Sequence, residues 1–285
     1  MKFKLLVKIA ILSFLLLTII AMVSNANILY NSVIRFVVFF YFTIYCIKIL
    51  GKQEDEWSVF LILVISYCLP QTVTVYGYIL GNLWSFPMFL LSLFSIVSGF
   101  IYLKWKSPLN ILPFLLGAFL ATFMFFQGWD YWIHKDLYGT FTGRTNNYNP
   151  PAKFEAFNEK KDLITETDFN NKIVLLDFWY TGCGVCFQKF PQLQSVYERY
   201  KQDSSVVILA VDRPVEEDKP NEAFEVIKEE GHNFPVVITK DADLAEKWGV
   251  KGYPTTFVIN PNGQIVYKGD IAGAVRMVDE LKSAK

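Results

Sequence analysis

Residues 172–186 read KIVLLDFWYTGCGVC and combine an apolar strand with a pair of cysteines. Within them, Ile173–Trp179 is a continuous apolar run interrupted only by Asp177, which is typical of a central strand covered on both faces. Apolar residues then recur at helical spacing up to Tyr200, and they predict a helix with one apolar face. The cysteine pair therefore lies where a strand passes into the first turn of a helix.

The spacing of Cys183 and Cys186 predicts thiol chemistry. At a helix start the free N–H groups and the helix dipole favour a thiolate on the first cysteine. That thiolate can attack the disulfide of a partner, and Cys186 can then attack the mixed disulfide and release the product. A structural disulfide and half of a metal site are the alternatives. A tetrahedral metal needs more ligands, and the only histidines are His134 and His232, so we predict neither a metal site nor another cofactor.

The carboxy-terminal sequence alternates between strand and helix patterns. The predicted strands are Val206–Val211, Pro235–Thr239, Thr255–Ile259 and Gln264–Tyr267, and the predicted helices after the first are Asn221–Glu230, Asp241–Trp248 and Gly273–Lys282. The stretch Asn260-Pro261-Asn262-Gly263 is a strong hairpin signal. This order predicts an α/β fold with a mixed sheet and helices on both faces, and about 135 residues suffice for an independent core.

These motifs together resemble a known family. Asp177-Phe178-Trp179 leads into the CxxC pair, Pro191 follows it, and Tyr253-Pro254-Thr255 precedes the hairpin, as in the thioredoxin fold. The segment 172–179 and the extra helix–strand–helix between residues 221 and 248 resemble more narrowly the membrane-anchored TlpA/ResA-type disulfide oxidoreductases. The resemblance covers about residues 150–285, and the motifs are specific in combination. It implies a thioredoxin-like fold and a protein-disulfide reductase.

The resemblance also implies roles for individual residues. Pro254 would be a cis-proline that exposes the backbone of Tyr253 to a substrate strand, the alternative being an ordinary trans proline. Asp177 would be a buried acid that accepts the proton of Cys186, the alternative being a satisfied carboxylate at a strand end. Trp179 would pack under the active loop as part of the substrate-binding set, or serve only the core.

Two positions depart from the thioredoxin pattern. Gly182 stands where thioredoxins have tryptophan, so one substrate-contact surface is missing. Val185 replaces the usual proline of the motif, and this replacement changes the redox poise. The residues therefore support dithiol–disulfide exchange without fixing its direction, and the family resemblance favours reduction.

The first 126 residues predict an all-α transmembrane domain. Each of its apolar stretches is close to the roughly 20 residues that a helix needs to cross the hydrocarbon core of a bilayer. The five stretches are Leu5–Val23, Ile28–Leu50, Trp57–Leu80, Trp84–Leu103 and Leu109–Phe126. We therefore predict five spans in residues 1–126, a linker in 127–151 and an extracytoplasmic thioredoxin-like domain in 152–285.

Charge divides the chain in the same way. Residues 1–126 carry eight basic and three acidic side chains, a net charge of +5, and the rest carries −5. No long basic stretch is present, which argues against nucleic-acid binding. An amino terminus in the cytoplasm puts seven lysines on the inner side and the carboxy-terminal domain outside. These lysines are Lys2, Lys4, Lys8, Lys48, Lys52, Lys104 and Lys106. Alternatively, the first span is a signal peptide cleaved near Ser24 and Ala26, which leaves the remaining topology unchanged.

The predicted function is disulfide exchange with extracytoplasmic protein thiols and disulfides, with the lipid bilayer as a further partner. The rival functions are client binding without turnover, a thiol peroxidase and a copper chaperone. Cys46 and Cys68 lie in spans two and three, where they either relay electrons from a membrane donor or pack inertly. Their predicted depths differ by roughly 10 Å, which is too far for a direct disulfide.

Overall fold

The computed structural model describes residues 7–12, 15–16, 28–50, 55–79 and 86–284, without the side chains of 28–31, 50 and 69–79. The chain divides into two compact units, Met1–Ile133 and His134–Lys285. The division follows the change from a uniformly apolar sequence to one that alternates between strands and helices.

Most of the described part of the first unit is helical. Its helices are α1 (Ile28–Leu50), α2 (Glu56–Ile79), α3 (Phe86–Lys104) and α4 (Leu112–Phe123). Aromatic side chains dominate the packing among these helices, as in the stacked rings of Phe60 and Phe100, whose centroids are 4.3 Å apart. Cys46 is buried and Cys68 is partly buried, and both are free thiols.

Three stretches of the described residues are long and apolar enough to cross a membrane: Ser32–Ile49, Phe86–Lys104 and Pro108–Tyr138. The third continues past the predicted end of the fifth span through a π-helical turn, Met124–Gly128, into α5 (Trp129–Tyr138). Most of the predicted first span lies outside the described residues. The number of five spans therefore stays a prediction.

The second unit is built on an eight-stranded mixed sheet with the order β1-β8-β7-β4-β5-β6-β2-β3. The strands are β1 (Arg144–Tyr148), β2 (Glu155–Phe157), β3 (Leu163–Thr165), β4 (Ile173–Trp179), β5 (Val206–Asp212), β6 (Val236–Thr239), β7 (Thr255–Ile259) and β8 (Ile265–Gly269). Strand β4 runs parallel to β5 and antiparallel to β7, and all seven of its residues are buried.

Helices cover both faces of this sheet. They are α6 (Gly184–Tyr200), α7 (Glu222–Glu229), α8 (Leu244–Lys247) and α9 (Ile271–Ser283). Helices α6, α7 and α9 share one apolar cluster with the odd-numbered residues of β4, and α8 shares the other with the even-numbered ones. The predicted thioredoxin-like fold, a mixed sheet flanked by helices, is confirmed.

Two segments differ from the sequence expectation. The stretch 127–151, predicted as a linker, contains α5 and the edge strand β1, which pairs antiparallel with β8. The predicted helix Asp241–Trp248 is only four residues long, Leu244–Lys247. Most of the difference lies at its start, where the Asp241 side chain accepts the backbone N–H of Asp243 at 3.0 Å and forms a turn in place of helix.

Candidate active site

The cysteine pair lies at the amino-terminal end of α6. Cys183 is the N-cap residue, and its Sγ accepts the backbone N–H of Cys186 at 3.2 Å. Its own N–H donates to the carbonyl of Tyr180 at 3.0 Å, which closes the loop that leaves β4. The two sulfurs are joined in a disulfide. The sequence-predicted pair is therefore brought together at a helix N-terminus, where partial positive charge stabilises a thiolate.

The two cysteines differ little in their access to solvent. Cys186 has no exposed surface, whereas Cys183 retains 5% and its neighbour Val185 is 54% exposed. Both cysteines are therefore buried in the disulfide-bonded state, and the side chain between them that faces solvent is that of Val185.

Asp177 is the buried acid of β4. It is 1% exposed, and its Oδ1 accepts a hydrogen bond from the hydroxyl of Thr256 on β7 at 2.6 Å. Burial raises the pKa of Asp177 to about 6, although the Thr256 hydrogen bond acts in the opposite direction. Alternation along β4 directs the side chains of Asp177 and Trp179 to the sheet face that α6 covers. A carboxyl whose pKa burial raises to about 6 is thus held on the face that carries Cys186.

The Tyr253–Pro254 peptide bond is cis and immediately precedes β7. The ring of Tyr253 lies 5.3 Å from that of Tyr180, in the loop that precedes the cysteines. Tyr138 also reaches this segment, because its hydroxyl donates to the carbonyl of Pro254 at 3.5 Å. No sequence pattern indicates this contact, since Tyr138 falls in the predicted linker.

Trp179 is fully buried beneath α6. Its ring packs edge-to-face against that of Phe190, with centroids 5.1 Å apart. The side chain has no exposed surface in this conformation. Its place in the substrate-binding set stays a prediction, as does the choice between support of the active loop and core packing alone.

Sequence reasoning missed a second buried acid, Asp212, at the end of β5. Asp212 is 1% exposed and stands in register with Trp179 on the neighbouring strand. Its Oδ1 and the Trp179 Nε1 have no hydrogen-bond partner among the described residues. Burial, and then the nearby carboxylates of Asp218 and Glu222, raise the pKa of Asp212 to about 7. The sequence signal that could have indicated Asp212 is its place as an acidic residue at the end of the apolar run of β5, the strand that pairs with β4.

Residues 149–268 match the model of the AhpC/TSA family. The thiol-disulfide oxidoreductase ResA of Bacillus subtilis is 38% identical over 117 residues, which are 41% of this chain and 62% of that protein. The ResA of Halalkalibacterium halodurans is 32% identical over 120 residues, 42% of this chain and 66% of that protein. The chain thus spans less than two thirds of either relative.

Among solved structures, the thioredoxin domain of a thiol-disulfide oxidoreductase from Bacteroides vulgatus is 22% identical, with a TM-score of 0.42. The alignment covers 48% of this chain and 97% of that domain. Residues 149–268 of this chain thus match the AhpC/TSA family, and the chain is similar in sequence to ResA thiol-disulfide oxidoreductases.

Proposed function

We propose that this chain is a thiol-disulfide oxidoreductase that reduces disulfides of extracytoplasmic proteins through Cys183 and Cys186. The carrying observation is the disulfide-bonded cysteine pair at the start of α6, with Cys183 as the N-cap residue. The buried Asp177 on the same sheet face and the similarity to ResA proteins support the proposal.

The proposed reaction has two exchange steps. The Cys183 thiolate attacks a client disulfide, so that a Cys183–client disulfide forms and the other client sulfur leaves as a thiolate and takes up a proton. Asp177 then accepts the proton of the Cys186 thiol, and the resulting thiolate attacks the Cys183 sulfur. The Cys183–Cys186 bond forms and the second client sulfur leaves as a thiolate, which takes up a proton from water as Asp177 releases its own, so that the client leaves as a dithiol. Two electrons and two protons have passed to the client.

Continued turnover needs a second dithiol that reduces the Cys183–Cys186 bond. We assign this role to a membrane electron donor and treat Cys46 and Cys68 as inert, since both are free thiols among apolar side chains. Replacement of both by serine should leave the pair reducible in cells. Full oxidation of the pair in that variant would favour a relay through the first unit.

The proposed location of the second unit is the extracytoplasmic side of the membrane. The support is the distribution of lysines at the ends of the predicted spans together with three membrane-length apolar stretches in the described residues. The lipid bilayer is then the partner of the first unit. A reporter fused after Tyr138 that works only in the cytoplasm would contradict this placement.

Insulin reduction by the full-length chain in detergent micelles, with a dithiol as electron source, tests the proposed activity. The parent and the Cys46→Ser/Cys68→Ser variant should both reduce insulin, whereas Cys183→Ala should not. Binding of insulin without reduction would favour a client-binding protein. Consumption of peroxide in place of insulin would favour a thiol peroxidase.

A further inference from the structure

The connection between β5 and α7, residues 213–221, is docked onto the loop that carries the cysteines. The first contact is a backbone one, because the N–H of Arg213 donates to the carbonyl of Trp179 at 2.9 Å. The second is made by side chains, because the Thr181 hydroxyl donates to Oδ1 of Asp218. Thr181 stands two residues before Cys183, so this hydrogen bond ties a distant part of the chain to the active loop.

Asp218 is itself fixed within its own loop. Its Oδ2 accepts the backbone N–H of Val215 at 2.8 Å, and its backbone N–H donates to the carbonyl of Val215 at 3.1 Å. One carboxylate oxygen therefore holds the 213–221 loop and the other holds Thr181. The carboxylate of Asp218 therefore links the two loops. The link is strong for its size, because hydrogen bonds to a charged group are stronger than neutral ones.

The active loop needs an anchor of this kind. Gly182 is exposed and has no side chain that could pack against the domain. The Thr181 contact acts next to Cys183, whose Sγ must stay within reach of the Cys186 N–H at the start of α6. If the active loop moves away from the N-terminus of α6, that N–H and the helix dipole stabilise the Cys183 thiolate less well.

We propose that Asp218 is a positioning residue for the thiol exchange, acting through its hydrogen bond to Thr181 to hold Cys183 at the N-terminus of α6. This inference deepens the proposed function and rests on it for its biological meaning. The property that it predicts is the reactivity of the Cys183 thiolate. It can therefore be measured without any protein client.

The test is the pH profile of alkylation of Cys183 by iodoacetamide in the reduced full-length chain. Thr181→Val removes the hydroxyl at nearly constant shape and should slow alkylation at pH 7 by about tenfold, the lower end of what a hydrogen bond to a charged group contributes. The profile should move to higher pH, as expected for a less stabilised thiolate. Thr181→Ser restores a hydroxyl and should restore the parent profile.

Coupling between the two residues is measured in an Asp218→Ala background. There, Thr181→Val should have no further effect, because its hydrogen-bond partner is already gone. Asp241→Ala, which breaks a surface pair with Lys247, is the matched control and should leave the profile unchanged.

An equal effect of Thr181→Val in both backgrounds, or no effect in the parent, would overturn the inference. The same variants are then compared in insulin reduction. A parent that shows the expected alkylation profile but never reduces insulin would contradict the proposed function and leave the positioning role of Asp218 intact. The two failures are therefore distinguishable.

Discussion

Asp212→Asn should stabilise the second unit at alkaline pH and not at acidic pH. Burial keeps Asp212 protonated in the folded state up to a pKa of about 7, whereas its ordinary value is 3.8. Between these two values the unfolded chain has released the proton and the folded chain still holds it. Folding takes up a proton in this window, so the free energy of unfolding falls as the pH rises from 3.8 to about 7.

The size of this effect follows from the pKa difference. At about 1.36 kcal/mol per pKa unit, the carboxyl of Asp212 lowers the free energy of unfolding by about 4 kcal/mol at pH 8 relative to a neutral group. Asparagine has nearly the same shape and stays neutral at every pH. Protonated aspartate and asparagine are both neutral and place a similar polar group in the core. The pH-dependent part of the difference in unfolding free energy between parent and variant therefore reports the ionisation of Asp212.

Pulse proteolysis of the full-length chain in urea, in detergent and with the disulfide intact, measures this difference. The gain from Asp212→Asn should be near zero at pH 4 and reach about 4 kcal/mol at pH 8. The control is Asp241→Asn, because Lys247 lowers the pKa of Asp241 and keeps it ionised. The free energy of unfolding of that variant should not increase relative to the parent as the pH rises. Parallel pH profiles for the parent and Asp212→Asn would refute the assignment of Asp212 as a neutral buried acid.

Three further predictions concern the exchange reaction and the membrane. Cys186→Ala should accumulate mixed disulfides through Cys183, visible on non-reducing gels, whereas Cys183→Ala should form none; equal trapping by both variants would contradict the assigned roles. Asp177→Asn should slow the resolving step by about a hundredfold at pH 7, as expected for loss of a general base, and single-turnover rates should lose their inflection near pH 6. An unchanged rate would assign Asp177 to the core alone. Reporters fused after Tyr138 should be active only if they function outside the cytoplasm, and activity restricted to cytoplasmic reporters would reverse the topology.

The centre of the fold was predictable because its signals are local. Strand β4 is apolar at every position except Asp177, as expected for a strand buried on both faces. The Asn260–Gly263 signal lies between two strands that pair as a hairpin. The helix after Cys183 follows from periodicity alone. For these elements the local preference and the tertiary environment agree.

The edges of the sheet were not predictable in the same way. Strand β1 reads RTNNY and has four exposed residues, so it shows no apolar alternation, and its strand conformation comes from pairing with β8. Strands β2 and β3 are only three residues long. Such elements owe their structure to a neighbouring strand, which periodicity in the sequence does not report.

The residues of the candidate site also fall into a predictable and an unpredictable group. The two cysteines and Asp177 belong to one continuous stretch of sequence. Spacing predicted the cysteine pair, and the family resemblance implied the role of Asp177. Asp212 and the Thr181–Asp218 contact depend on the parallel pairing of β4 with β5, and the contact joins residues 37 positions apart. The missed residues are therefore those that only the sheet topology brings to the active loop.

Differential alkylation of Cys183 and Cys186 in intact cells tests the central claim most directly. A reagent that does not cross the membrane should label the reduced fraction of the pair, and this fraction should fall after a brief oxidant pulse and recover afterwards. A pair that stays oxidised under every condition, or that is labelled only after the membrane is opened, would contradict a redox-active pair on the outer side.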